Sequence, residues 1–137
     1  MKRVVILALL VALLGAHSLL YPPGRDQGIY SYIGWQMTEG KLPYRDLWDF
    51  KPPAIYPAYA LCELVFGHNT WGIRVFELVW QMLAALAIFA FASGYYKSPP
   101  AGAAATLLYI FALFQHDFWH TAQPDGLLNL FVVSSFI

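Results

Sequence analysis

The segment Tyr44-Arg45-Asp46-Leu47-Trp48-Asp49-Phe50-Lys51-Pro52-Pro53 sets two cations and two carboxylates among aromatic rings, beside a proline pair. Arginine binds phosphate bidentately and lysine meets it as a point charge, and both gain strength where aromatics and lipid exclude water. A carboxylate within reach of a hydroxyl can take its proton. Arg45 and Lys51 are therefore candidate phosphate ligands. Asp46 and Asp49 either hold those cations or act as a base. Only 12% of the residues are charged and 59% are hydrophobic. Where charge clusters in such a chain, chemistry is expected.

Those percentages, with 18% aromatics and a mean hydropathy of +0.52, describe an integral membrane protein. The lipid bilayer is thus the first expected partner. Eight basic residues balance eight acidic ones, so there is no electrostatic case for a nucleic acid. Cys62, the single cysteine, can close no intrachain disulfide and is read as a small packing residue.

The elements that must position the charged segment follow from apolar runs. Residues 4–20, led by Lys2 and Arg3, form a first span, retained rather than cleaved because the apolar run outlasts any small-residue cleavage site. Residues 75–96 form a second span, 99–115 a shorter third, and 127–137 the beginning of a fourth. Eleven residues cover about 16 Å of a roughly 30 Å hydrocarbon core, so residues 1–137 read as the N-terminal part of a longer protein. Lys2, Arg3 and Lys97 are expected on the cytoplasmic side of the inner membrane. The loop 21–74, whose cations have acids nearby, is expected outside. Within that loop, 27–40 and 52–66 read as interfacial helices stopped by Gly40 and Gly67. Asp26 stands where an N-cap is expected. The predicted architecture is all-α and polytopic, with about four transmembrane helices and two interfacial helices.

Asp26 ahead of an aromatic-rich amphipathic helix, then Gly40, Pro43-Tyr44-Arg45-Asp46, Asp49-Phe50-Lys51-Pro52-Pro53, Phe66-Gly67, Arg74 at the next span and Pro124-Asp125 before a leucine-rich run form an ordered series. In order and spacing it resembles the GT-C-fold glycosyltransferases, in the bacterial branch related to protein O-mannosyltransferases and to the lipid A aminoarabinose transferase. The resemblance covers nearly the whole chain. It implies transfer of a sugar from a polyprenyl-phosphate donor to a lipid, glycan or protein acceptor at the extracytoplasmic face, by inverting displacement. Asp26 matches the loop carboxylate that acts near the acceptor hydroxyl, and Lys51 matches a residue facing the donor phosphate. Gln27 stands where many relatives carry a second acid, so neither a second carboxylate nor a metal is assigned here.

The residue types suit that chemistry. A departing lipid phosphate gathers charge on oxygen while the sugar becomes oxocarbenium-like, so cations beside the phosphate and a carboxylate opposite lower the barrier. The catalytic candidates are Asp26, Asp46 and Asp49, and the phosphate-binding candidates are Lys51, Arg45 and Arg74. Arg74 opens a helix against the macrodipole, which points to an anionic neighbour. Glu77 three residues on offers a structural pair instead. Arg45 and Lys51 also fit headgroup-level snorkelling, with Asp46 and Asp49 as paired turn residues. His116 and His120 share a helical spacing without a third metal ligand, Asp125 fits a cap, and Glu63 fits a solvated interfacial residue. Trp35, Trp48, Trp71 and Trp119 suit an aromatic belt. Two other classes fit the composition: a small non-catalytic membrane subunit assembling with a larger partner, and a transporter fragment. The transporter is disfavoured because most charges avoid the spans.

Overall fold

The computed structural model describes residues 2–115 and 118–137. Among the described residues there are six α-helices and no strand: α1 (Lys2–Gly15), α2 (Arg25–Thr38), α3 (Ile55–Phe66), α4 (Gly72–Tyr95), α5 (Pro99–Gln115) and α6 (Pro124–Ser134).

The first apolar run is not one regular helix. It stays α-helical to Gly15, tightens into a 3-10 turn over Ala16–Leu20, and bends by 89° before α2. Gly15 lies against α4 and α5, where an added Cβ would fall 2.6 Å from Leu78 and 2.9 Å from Phe114. Pro22 and Pro23 then bar helix continuation and force the turn. This region packs Val11 with Ala85, Ile110 and Phe114 into one core cluster.

Helices α2 and α3 form a pair. Gly34 lets them touch at the backbone, since a Cβ there would meet the Ala60 nitrogen at 2.8 Å. Tyr30, Ile33, Ile55, Tyr56, Tyr59 and Cys62 close the second core cluster between them. Both helices end at glycines in the left-handed region, Gly40 (φ 85°) and Gly67 (φ 74°), where other residues would be strained. The Asn69 carboxamide oxygen accepts from the Trp71 and Gly72 amides at 3.1 and 2.7 Å and starts α4.

At 24 residues, about 36 Å, α4 is the one helix among the described residues long and apolar enough to cross a membrane by itself. The first run and α2 pass that test only as a bent pair, and α3 and α5 are shorter apolar helices. Pro99 and Pro100 open α5, where missing amides cost nothing. Gly102 lets it run close to Phe89 and Ser93 of α4, and Thr106 Oγ1 donates to the Ala85 carbonyl at 3.2 Å. Helix α6 leans on α4 through Trp80 Nε1 to the Leu127 carbonyl (3.1 Å) and Gln81 Nε2 to the Gly126 carbonyl (3.3 Å).

Candidate functional site

Chain entry into α2 decides which side chains are free for chemistry. The N-cap is Gly24 and not Asp26. The Gln27 carboxamide oxygen reaches back to accept the Gly24 amide, so the start of the helix is held without Asp26. Asp26 sits in the first turn, where the helix dipole favours its charge while its carboxylate faces outward. There it meets Lys51 Nζ at 3.4 Å and Arg25 Nε at 3.6 Å. A cleft of about 460 Å³ opens over this pair. Its far wall carries His120, Gln123, Asp125 and Asn129.

Lys51 is poised rather than loosely exposed. Its side chain is 26% accessible and its ammonium stands 5.4 Å from the Phe50 ring centroid. Burial works against the charged form, but the Tyr30 hydroxyl and the Asp26 carboxylate beside it prevail, and the pKa is raised. The loop behind it is held by Asp49, which accepts the Phe50 amide at 2.8 Å and the Tyr56 hydroxyl at 3.0 Å. Burial first, then Asp49, pushes the Tyr56 phenol well above its ordinary range, so it stays a donor. Tyr44 donates to the Lys51 carbonyl. Asp49 therefore fixes the backbone around Lys51 instead of pairing with its ammonium, and it is buried.

Arg45 and Asp46 pair with each other, at 2.7 and 3.0 Å, in an exposed turn away from the cleft wall. The Arg45 guanidinium, with the Leu42 amide, holds the Asp46 carboxyl down at about 2. A carboxylate that acidic is a poor proton acceptor at neutral pH.

Arg74 lies in the interior, 1% exposed. Its guanidinium donates to Thr121 Oγ1 at 2.5 Å and to the Pro22 carbonyl at 2.7 Å, and approaches Glu77 at 3.9 Å. Glu77 in turn accepts the Ala122 amide. The sequence-level pairing of Arg74 with Glu77 is present but loose, and the stronger contacts reach Pro22 and Thr121, far away in sequence. A second cavity of about 300 Å³, lined by Tyr32, Trp35, Glu63, His68 and Arg74 among others, opens on the opposite face of α2.

Several other expectations change. Glu63 is not a solvated residue: its side chain is 7% exposed and takes Ser31 Oγ at 3.0 Å and His68 Nδ1 at 2.9 Å. Asp125 does not cap α6, whose N-cap is Gln123. It lines the cleft instead. His116 lies outside the described residues, so the His116/His120 spacing has no structural counterpart here. Among the described residues no group of three potential metal ligands converges.

Of the residues singled out by sequence, Asp26 and Lys51 are thus brought together, and Arg45, Asp46, Asp49 and Arg74 stand apart from them. Asp125, Asn129 and Gln123 join the site from the far end of the chain. Their sequence signal was faint: Asp125 and Asn129 are four apart on one helix, a spacing that puts two polar groups on one face of an apolar run. A carboxylate and an ammonium in one half-open cleft can accept a proton and hold an anion at neighbouring points.

Residues 50–137 match the family described as dolichyl-phosphate-mannose-protein mannosyltransferase. No curated protein and no solved structure matches the chain.

Proposed function

Because the chain belongs to the dolichyl-phosphate-mannose-protein mannosyltransferase family of glycosyltransferases, we propose that its cleft moves a mannosyl-type sugar from a polyprenyl-phosphate donor to an acceptor hydroxyl at the outer membrane face. The observation that carries this reading is the Asp26–Lys51 pair at 3.4 Å in the open cleft. Lys51 receives the donor phosphate. The acceptor oxygen attacks the anomeric carbon, the bond from that carbon to the phosphate oxygen breaks with its electron pair leaving on phosphate, and Asp26 takes the acceptor proton. Configuration inverts.

The pairing also gives an order of events. Without donor, Lys51 shields Asp26. A phosphate that draws the ammonium toward itself frees the Asp26 carboxylate to meet the acceptor hydroxyl. Asp125 and Asn129, across the cleft, supply hydrogen-bond acceptors and donors for sugar hydroxyls.

Exposed apolar side chains on α1, α3 and α5, among them Leu13, Leu64 and Phe111, suit helices covered by lipid or by neighbouring helices. They support a membrane setting, and the distribution of basic residues is the ground for taking loop 21–74 as outside and Lys97 as cytoplasmic.

The test is release of polyprenyl phosphate from polyprenyl-phosphate-mannose by the purified full-length protein, with envelope membranes as the acceptor source. No release above a heat-killed control would sink the reading. Lys51→Ala should lower donor turnover about ten- to a hundredfold, the worth of one charge-assisted contact of about 1.5–3 kcal/mol. Wild-type turnover in that variant at equal expression would mean that Lys51 does no more than snorkel.

A further inference from the structure

The far wall of the cleft is a short stretch of irregular backbone, residues 118–123, running from a 3-10 turn (Phe118–His120) into α6. It carries His120 and Gln123 and delivers Asp125. Side chains from three helices grip it. Gln27 Nε2 of α2 donates to the Phe118 carbonyl at 2.8 Å and to the Thr121 carbonyl at 2.6 Å. Tyr59 of α3 donates to the Ala122 carbonyl at 3.1 Å. Arg74 and Glu77 of α4 take the Thr121 hydroxyl and the Ala122 amide. Ala122 is held at φ 52°, in the left-handed region that a non-glycine residue adopts only when its surroundings impose it. Thr121 and Ala122 are buried.

Gln27 is the one member of this grip that adjoins Asp26 in sequence, and both of its amide hydrogens are used on carbonyls while its oxygen accepts the Gly24 amide. It is 2% exposed, so it does not meet solvent. We propose that Gln27 is a positioning residue for the transfer reaction, its carboxamide setting the distance between the Asp26 wall of the cleft and the His120–Asp125 wall. The role rests on the transferase reading given above. It does not require Gln27 to touch substrate. Displacing one wall by as little as about 1 Å is the kind of change that lowers a rate by up to a hundredfold while leaving ligand contacts on the other wall intact.

Two substitutions in the full-length protein separate this from a role in starting α2. Gln27→Glu keeps an oxygen for the Gly24 amide but turns both donors into acceptors facing carbonyls. Gln27→Met removes all three bonds at similar volume. Amide hydrogen exchange over 118–123 reads the grip without any donor present, and steady-state kinetics with polyprenyl-phosphate-mannose reads its consequence. In Gln27→Glu, exchange over 118–123 should quicken at least tenfold with α4 and α5 unchanged. Its kcat should fall about ten- to a hundredfold, with the donor KM within about threefold because Lys51 is untouched. Gln27→Met should behave the same way. Wild-type exchange and kcat in Gln27→Glu would overturn the proposal, since only the α2 start would then need Gln27. Failure of both variants to fold would overturn it too, making Gln27 a residue of the core. If wild-type protein transfers no sugar, the transferase reading fails and the exchange measurement still decides the grip.

Discussion

Asp26→Asn is expected to lower sugar transfer by at least about a hundredfold while donor binding and membrane insertion stay near wild type. The general base of such a displacement contributes about 10²–10⁴ in rate. Asparagine keeps the shape and polarity of the side chain, and the start of α2 does not depend on it, because Gly24 and Gln27 make that start. The substitution therefore removes a proton acceptor and one half of the ion pair with Lys51 (3.4 Å) without removing a cap. The informative measurement is single-turnover transfer with donor pre-bound, which separates chemistry from binding. Undiminished single-turnover rate would transfer the role of base to another cleft carboxylate, Asp125 first.

The second large effect concerns stability. Arg74→Met should destabilise the chain by roughly 3–5 kcal/mol, the range for breaking one side of a buried ionic cluster. The loss is not mainly that of the Arg74–Glu77 attraction, which acts over 3.9 Å. It comes from Glu77 left without its cationic neighbour in the interior and from the Thr121 hydroxyl and Pro22 carbonyl left without their guanidinium. Thermal melting of the purified protein measures it. Arg74→Met combined with Glu77→Gln should recover part of the loss, because no buried carboxyl then lacks its cation while the Ala122 amide keeps an acceptor. A single Arg74→Met variant melting like wild type would mean that the interior tolerates Glu77 alone.

What could be read from the chain and what could not divide along a physical line. The ends of α2 and α3 were legible because Gly40 and Gly67 occupy backbone conformations that only glycine takes easily, a property of single residues. The start of α5 was legible because Pro99 and Pro100 suit a first helical turn. The contact of Asp26 with Lys51 lay outside local pattern, since a whole helix and a turn separate them, and the family resemblance gave the two residues separate roles without pairing them. Asp26 was expected as the N-cap, but the helix starts two residues earlier than its apolar pattern suggested, so Gly24 holds that position and Gln27 accepts its amide. Glu63 looked solvated because an amphipathic pattern cannot reveal that Ser31 and His68 close over it. Asp125 looked like a cap because its true neighbours are drawn from the other end of the chain.

The Gln27 carboxamide meets the Phe118 and Thr121 carbonyls across 91 and 94 residues of chain. Loop closure over that span costs entropy that no local contact offsets, and such pairings form late. At ribosomal rates of about 5–20 residues per second, α2 emerges on the order of 5–20 seconds before the residues that complete its cleft. During that interval α2 and α3 have all the residues of their shared interface at Gly34, whereas Arg74 and Glu77 precede Thr121 and Ala122, the later partners of their polar contacts. The order of synthesis thus places the α2–α3 interface ahead of the polar contacts that complete the cleft.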